Sequence, residues 1–262
     1  MIFAGCDIGS LTGKAVLIKD SRIISSKIIR VLSDPVKTAK VLMDEALGKV
    51  GLTYDSITRC CTTGYGRENI PFSNMNISEI SCHGMGAHWL DNSIRTILDI
   101  GAEDSKIIRV DEKGRVVDFA MNDKCAAGTG RCLDKLSKAI NLKIEDIGKV
   151  SLKSHNPVNM TNVCSIYMEL EVIRHLYERT KIKDIAYGIH DAVASRIAYL
   201  TKSVKIEREV TMTGGVSRNK GMIRSLGKIL NVRFKQLSVE PQLAGAVGAA
   251  VFAMNEETNG DG

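Results

Sequence analysis

Two short loops with the same residue pattern place the strongest constraint on how this chain can fold. Asp-Ile-Gly occurs at positions 7–9 and again at 99–101, each time at the end of an apolar, strand-like run and before polar residues and a lysine. Such a loop brings backbone N–H groups and a carboxylate to one point, as a nucleotide phosphate with its Mg²⁺ requires. The repeated loop therefore predicts a duplicated phosphate clamp, with one loop from each half of the protein.

Each loop carries candidate ligands for the phosphates and for the metal ion. We expect the carboxylates of Asp7 and Asp99 to hold Mg²⁺ and its water molecules, although an aspartate at such a position can also simply cap a turn. Phosphate contacts are predicted for Gly9, Ser10, Thr12 and Lys14 in the first loop and for Gly101 and Lys106 in the second. For Lys14, an exposed position on the following strand is the alternative.

Two acidic residues of the second loop are candidates for catalysis. Phosphoryl transfer depends mainly on positioning and on charge stabilisation, so Glu103 or Asp104 is expected to orient the attacking water. The alternative is that one of them only forms an ion pair with Lys106.

A third glycine-rich turn follows a predicted strand near the end of the chain. Gly214 and Gly215 are predicted to approach the adenine and the ribose closely, with a simple strand–helix turn as the alternative. Asn219 or Arg218 is expected to line the pocket for the base.

The order of predicted elements repeats along the chain. Three strands between Met1 and Ile29 precede a helix over 35–50, and a second cycle begins with a strand at Thr96. Recurring elements with matching loops predict an α/β protein whose two halves face a nucleotide cleft. The halves are expected to comprise residues 1–95 with 240–262, and residues 96–239.

The C-terminal segment is rich in alanine and glycine. Residues 241–250 predict a helix of small residues that can pack closely against a strand or another helix. The polar tail over 255–262 is predicted to fray.

Composition and charge exclude several classes of protein. The 262 residues are 44% hydrophobic and 25% charged, as in ordinary globular proteins, and no apolar run is long enough to predict a membrane span. The net charge of +6 comes from scattered basic residues without interleaved aromatics, so nucleic acid is not an expected partner. The first residues lack the basic start of a signal peptide, and a cytoplasmic location is expected.

The seven cysteines do not form a recognisable local motif. Their number is odd and no Cys-x-x-Cys pair occurs, so neither a disulfide framework nor a zinc site within one chain is predicted. The cysteines predicted to lie in the core are Cys6, Cys60, Cys61, Cys82 and Cys132.

Three longer motifs, together with the two Asp-Ile-Gly loops, resemble a known group of proteins. They are Thr63-Gly64-Tyr65-Gly66-Arg67, Asn122-Asp123-Lys124-Cys125-Ala126-Ala127-Gly128-Thr129-Gly130-Arg131 and Asp191-Ala192-Val193-Ala194-Ser195-Arg196. The chain resembles the actin, Hsp70 and sugar-kinase ATPase superfamily. Within it, the chain is similar to the activator ATPases of 2-hydroxyacyl-CoA dehydratases and the ATPase subunits of benzoyl-CoA reductases. The resemblance implies two actin-like (ribonuclease H-like) halves that bind ATP or ADP.

The resemblance also implies a redox cofactor and partners. It implies a homodimer with one [4Fe–4S] cluster between the subunits, for which Cys125 matches the first ligand and Cys164 the second. Reduced ferredoxin or flavodoxin is the expected electron donor. The expected acceptor is an iron–sulfur dehydratase or reductase component, which receives an electron in an ATP-dependent step.

Two departures from the family pattern leave the acceptor open. The family's second loop usually reads Asp-Ile-Gly-Gly-Gln-Asp, whereas Ala102 and Glu103 stand here. After the second cysteine the family tends to read Thr-Val-Phe-Ala-Glu-Ser-Glu, whereas residues 165–171 read Ser-Ile-Tyr-Met-Glu-Leu-Glu.

Two other functions are compatible with phosphate-binding loops. One is a small-molecule kinase of the same superfamily, but Trp89 is the only tryptophan and no cluster of polar residues suggests a sugar pocket. The other is a nucleotide-binding regulator that hydrolyses nothing. ATP turnover discriminates the regulator from the ATPase.

Overall fold

The chain forms two compact units and contains two five-stranded sheets, the second of which extends into unit 1 through parts of three strands. The computed structural model describes the backbone of residues 1–260 and the side chains of residues 1–256. Contacts within the chain divide it into unit 1 (Met1–Ile97, Ile108–Asp118 and Leu237–Gly262) and unit 2 (Leu98–Ile107 and Phe119–Gln236). No helix among the described residues is both long enough and apolar enough to cross a bilayer.

The first sheet has five strands in the order β3-β2-β1-β4-β5. The strands are β1 (Ile2–Ile8), β2 (Thr12–Lys19), β3 (Arg22–Arg30), β4 (Arg59–Thr63) and β5 (Met75–Asn76). β1 runs antiparallel to β2 and parallel to β4, and the register sets Asp7 opposite Lys14 on one side and Thr63 on the other. The end of the central strand is thus flanked by a lysine and a threonine.

Three helices belong to unit 1: α1 (Pro35–Gly48), α2 (Glu79–Leu90) and α8 (Ala244–Gly260). The side chain of Asp34 caps α1 by accepting from Val36 N at 2.8 Å, and Pro35 occupies the first turn, where its missing N–H costs nothing. The tail that was predicted to fray continues α8 through Gly260, and residues 261–262 lie outside the described part of the chain.

Helix α8 packs against β1 and α2 with almost no space between their backbones. A Cβ at Gly5 would lie 1.9 Å from the carbonyl oxygen of Ala246, and a Cβ at Gly248 would lie 1.8 Å from that of Cys82. Only glycine fits at these two positions. The predicted close packing of the small-residue helix is therefore confirmed.

The second sheet also has five strands, in the order β10-β9-β6-β7-β8. They are β6 (Thr96–Ile100), β7 (Ser105–Val110), β8 (Val116–Asn122), β9 (Val210–Thr213) and β10 (Phe234–Lys235). The helices of unit 2 are α3 (Gly130–Ala139), α4 (Ile144–Ser151), α5 (Ser165–Tyr177), α6 (Ile182–Ala198) and α7 (Lys220–Leu230). Side chains of β6, β9 and all five helices form one hydrophobic core, which fixes the ends of β6 and β9 relative to the helices.

The glycine contacts of α8 generate the first prediction. Gly248→Ala should lower the free energy of unfolding by about 3 kcal/mol or more, because the added methyl group meets backbone that cannot move aside. The matched control is Gly48→Ala at the end of α1, where a Cβ meets nothing within 4 Å. Chemical denaturation should show the control at least as stable as the wild type; equal stability of Gly248→Ala would contradict the packing described.

Candidate functional site

In unit 1 a buried ion pair fixes the end of β1. Asp7 Oδ2 lies 3.0 Å from Lys14 Nζ, and both side chains are almost inaccessible to solvent. The loop between them closes on itself, since Gly9 N donates to the Thr12 carbonyl at 3.2 Å. Ser10 and Thr12 lie half-buried in this loop. The predicted phosphate ligands of the first loop are therefore brought together, and Lys14 is not the exposed strand lysine that was the alternative.

A second segment of unit 1 covers the same carboxylate. Gly64 follows β4 with φ +85°, and a Cβ there would lie 2.6 Å from Asp7 Oδ1. Gly66 N donates to the Ile8 carbonyl at 2.9 Å. Thr63 and Gly64 were missing from the predicted site residues. The signal that could have revealed them is the Thr-Gly pair that recurs at 213–214.

Unit 2 repeats this arrangement around Asp99. The Thr213 hydroxyl donates to Asp99 Oδ1 at 2.9 Å. Gly214 adopts φ +77°, and a Cβ there would lie 2.9 Å from the same oxygen. Lys106 Nζ lies 3.8 Å from Asp99 Oδ2. Each unit thus combines a strand-end aspartate, a lysine on the next strand and a Thr-Gly pair from a third strand.

The two catalytic candidates have different surroundings. Asp104 is buried, and its Oδ1 lies 2.7 Å from Lys106 Nζ, so the ion pair considered as the alternative is present. Glu103 is exposed and pairs with Arg131 at 2.8 Å. A role in orienting water stays a prediction for both residues.

Asn219 has a structural role at the start of α7. Its Oδ1 caps α7 by accepting from Gly221 N at 2.9 Å and Met222 N at 3.1 Å, and it lies 3.0 Å from His190 Nε2. Burial lowers the pKa of His190 to about 4, so the ring is neutral at physiological pH. The predicted contacts of Asn219, Gly214 and Gly215 with the nucleoside stay predictions.

The two cysteines singled out above lie at the starts of helical turns in unit 2. Cys125 precedes a short 3₁₀ turn over Ala126–Gly128, and Cys164 precedes α5. Both thiols are partly exposed, whereas Cys6, Cys60, Cys61, Cys82 and Cys132 are buried, as predicted. Asn122 Nδ2 donates to the Cys125 carbonyl at 2.8 Å and orders the loop between β8 and the turn.

Cys125 packs against the hydrophobic core of unit 2 that contains the buried Cys132. Burial raises the pKa of the Cys132 thiol to about 12, and Cys125 and Cys164 add to that shift. Partly exposed thiols are candidate ligands for a soft metal centre. The described residues hold no group of three or more His, Cys, Asp or Glu side chains that could hold a metal ion.

Comparison with known proteins decides the family. The model of the BadF/BadG/BcrA/BcrD ATPase family matches residues 4–253. The chain belongs to this family of ATPases. The resemblance inferred from the sequence motifs is confirmed.

Individual relatives cover nearly the whole chain. The 2-hydroxyisocaproyl-CoA dehydratase activator of Clostridioides difficile is 41% identical over 257 residues, which are 98% of this chain and 96% of the relative. The solved structure of component A of the Acidaminococcus fermentans (R)-2-hydroxyglutaryl-CoA dehydratase is 35% identical, with a TM-score of 0.94 over 98% of this chain and 99% of that one.

A second solved structure contains a nucleotide. The activator of the 2-hydroxyisocaproyl-CoA dehydratase from Clostridium difficile, with bound ADPNP, is 39% identical and has a TM-score of 0.93 over 100% of this chain and 97% of that one. The α/β fold with two sheets of the actin-like ATPases is therefore confirmed for this ATPase.

The buried lysine of unit 2 generates the second prediction. Lys106→Met should lower the free energy of unfolding of the nucleotide-free protein by about 3 kcal/mol or more, because Asp99 and Asp104 lose their buried counter-charge. Lys138→Met breaks an exposed pair with Asp134 and should cost less than about 1 kcal/mol. Urea unfolding measures the free energy of unfolding of both variants. Equal losses would show that the buried cluster around Lys106 stabilises the protein no more than a surface ion pair does.

Proposed function

We propose that the chain is an ATP-dependent activator that transfers low-potential electrons to an iron–sulfur partner enzyme, through a [4Fe–4S] cluster bridging a homodimer. The similarity to dehydratase activators over nearly the whole chain, together with the partly exposed thiols of Cys125 and Cys164, carries this proposal. The partner is a 2-hydroxyacyl-CoA dehydratase or a related reductase component, and ferredoxin or flavodoxin is the donor. Residues 1–95 with 240–262 and residues 96–239 form its two halves; the compact units differ from this division chiefly in that Ile108–Asp118 lies in unit 1.

ATP binds through the two aspartate loops. The carboxylates of Asp7 and Asp99 are the oxygen ligands that Mg²⁺ prefers, and they fit that ion. Lys14 and Lys106, each close to one of these aspartates, neutralise phosphate charge, and Gly9, Ser10, Thr12 and Gly101 line the loops. Asp104 or Glu103 orients the attacking water, while Gly214, Gly215 and Asn219 lie toward the nucleoside.

The cluster ligands are Cys125 and Cys164 from each subunit. Their partial exposure and their positions before helical turns fit an anionic centre, because N–H groups at a helix start favour negative charge. Two thiols from each of two chains give the four ligands of such a cluster. When bound, the cluster supplies one-electron transfer.

Hydrogen bonds within unit 2 connect the second nucleotide loop to the cysteine segment. Gly130 N donates to the Gly101 carbonyl at 2.9 Å, and Arg131 N donates to the Ala102 carbonyl at 3.0 Å. The buried Ser105 hydroxyl donates to the Gly128 carbonyl. A change of loop conformation on ATP hydrolysis is therefore passed to the residues that follow Cys125, which links nucleotide state to the thiol site.

The iron content of the protein tests the cluster. Protein purified without oxygen should hold about four iron and four sulfide ions per dimer, and Cys125→Ala and Cys164→Ala should each lose them. Cys132→Ala is the matched control, because its thiol is buried in the same unit and is not a proposed ligand. Iron analysis and absorption spectra measure the outcome; full iron in Cys164→Ala would remove that residue from the ligand set.

ATP turnover by the same samples separates the alternatives. We expect the wild type to hydrolyse ATP without any small-molecule acceptor and Asp99→Asn to lose about 99% of the rate, since charge stabilisation dominates phosphoryl transfer. A metal-free wild type that phosphorylates a small molecule would be a kinase. A metal-free wild type without turnover would be a regulator.

A further inference from the structure

A buried histidine on α2 faces the carboxylate of Asp7. A Cβ at Gly245 of α8 would lie 2.9 Å from His83 Nε2 and 3.0 Å from Asp7 Oδ2. Both side chains are almost completely buried. The nitrogen edge of the ring and the carboxylate oxygen thus meet at the space that the glycine leaves open. The carboxylate of Asp7 therefore has Lys14 on β2 and an imidazole on α2 as neighbours.

The crossing of α2 and α8 fixes the position of this ring. A Cβ at Gly86 would lie 2.0 Å from the carbonyl oxygen of Ala244. A Cβ at Gly248 would lie 1.8 Å from the carbonyl oxygen of Cys82. These two backbone contacts are made before and after His83 along α2, so the ring has little freedom to move away from the carboxylate.

Arg67 ties the start of α2 to the turn that covers Asp7. Its Nη1 donates to the Gly64 carbonyl at 3.3 Å and lies 3.4 Å from Glu79 Oε2, in the first turn of α2. Gly64 is the residue whose missing Cβ leaves room for Asp7 Oδ1. One arginine thus contacts both the turn beside the carboxylate and the helix that carries His83.

Packing alone does not require a histidine at this position. The backbone contacts on either side of it are made by glycine, alanine and cysteine, which fill little space and carry no charge. A buried polar ring costs free energy unless polar groups meet it, and groups behind a metal-binding carboxylate serve to orient that carboxylate. Close packing of the two helices therefore leaves the nitrogen edge of His83 beside Asp7 unexplained.

The surroundings of the two strand-end aspartates differ. Lys106, the lysine close to Asp99, also lies 2.7 Å from the buried carboxylate of Asp104. Asp7 has the imidazole of His83 in its surroundings. A neutral imidazole can donate a hydrogen bond to a carboxylate, whereas an ionised carboxylate can only accept one. The group beside Asp7 is thus chemically suited to holding a carboxylate in place.

We propose that His83 is a positioning residue of the ATPase, whose imidazole holds the carboxylate of Asp7 in the orientation that binds the Mg²⁺ of the nucleotide. The proposal rests on the proposed role of Asp7 and adds a residue that acts through it. His83 is not itself a metal ligand in this account. Its loss should therefore weaken the effect of Mg²⁺ on nucleotide affinity without changing the affinity for the metal-free nucleotide.

The Kd of ADPNP, measured by calorimetry with Mg²⁺ and again with excess EDTA, tests the proposal. Mg²⁺ should tighten binding to the wild type. In His83→Phe, which keeps a ring without nitrogen, and in His83→Ala this tightening should fall about tenfold or more, as it does when a group behind a metal ligand is lost. The Kd in EDTA should stay unchanged. His83→Gln, whose amide can donate near the same point, should recover most of the tightening.

The matched control is His88→Ala, which removes a half-buried imidazole from the same helix and should behave as the wild type does. Equal tightening by Mg²⁺ in the wild type and in His83→Ala would overturn the proposal, and this variant decides the test if His83→Phe does not fold. An equal loss of affinity with Mg²⁺ and with EDTA would also overturn it, because the ring would then only support packing.

Asp7→Asn separates this proposal from the proposed function. We expect Mg²⁺ to tighten ADPNP binding to this variant much less than to the wild type. If Asp7→Asn responds to Mg²⁺ as the wild type does, the proposed nucleotide site is wrong at Asp7 and the role of His83 fails with it. If Asp7→Asn loses the response and the His83 variants keep it, only the role of His83 fails.

Discussion

The buried pairing of aspartate with lysine at the strand ends is the interaction on which both loops depend. A buried carboxylate is tolerated only when it is paired and hydrogen-bonded, and Asp7 and Asp99 each have a lysine from the next strand close by. The Thr213 hydroxyl donates to Asp99, and Thr63 lies opposite Asp7 in the strand register. Gly64 and Gly214 need positive φ and the absence of a Cβ because backbone and carboxylate oxygens already fill that space.

The loop after Asp99, a proposed nucleotide-binding loop, is connected to the rest of unit 2. The loop after Asp99 is held by main-chain hydrogen bonds to Gly130 and Arg131, at the start of α3. Cys125 lies a few residues earlier, and Cys164 starts the helix whose outer face is apolar. Part of the nucleotide contact and the electron transfer are thus proposed for features of unit 2 that short hydrogen-bonded segments connect.

Much of this arrangement is predictable from the sequence because it is local. The Asp-Ile-Gly loops, the strands that they end and the small-residue terminal helix all follow from residue type and spacing. The eight-residue helix α4 was missed, since its N-cap residue Lys143 makes no side-chain cap and Gly148 weakens its helical signal. The pairing of Thr63 and Gly64 with Asp7 was also missed, because it joins strands distant in the chain.

The two candidate cluster cysteines and helix α5 show a different limit of sequence reasoning. No spacing rule selects Cys125 and Cys164 from the seven cysteines, and only the family resemblance did so. Apolar residues on α5 predict a helix, but they do not reveal which side packs on the core when both sides are apolar. Burial of Met168 and exposure of Leu170 become evident only in the folded chain.

The rate at which a chelator removes iron measures the proposed coupling between the nucleotide state and the thiol site. Reduced, iron-loaded protein should lose iron several-fold faster with ADPNP than with ADP. Ser105→Ala, which lacks the hydroxyl bonded to the Gly128 carbonyl, should still bind both nucleotides but show a smaller difference. Equal rates with the two nucleotides in the wild type would show that the nucleotide state and the thiol site are not coupled.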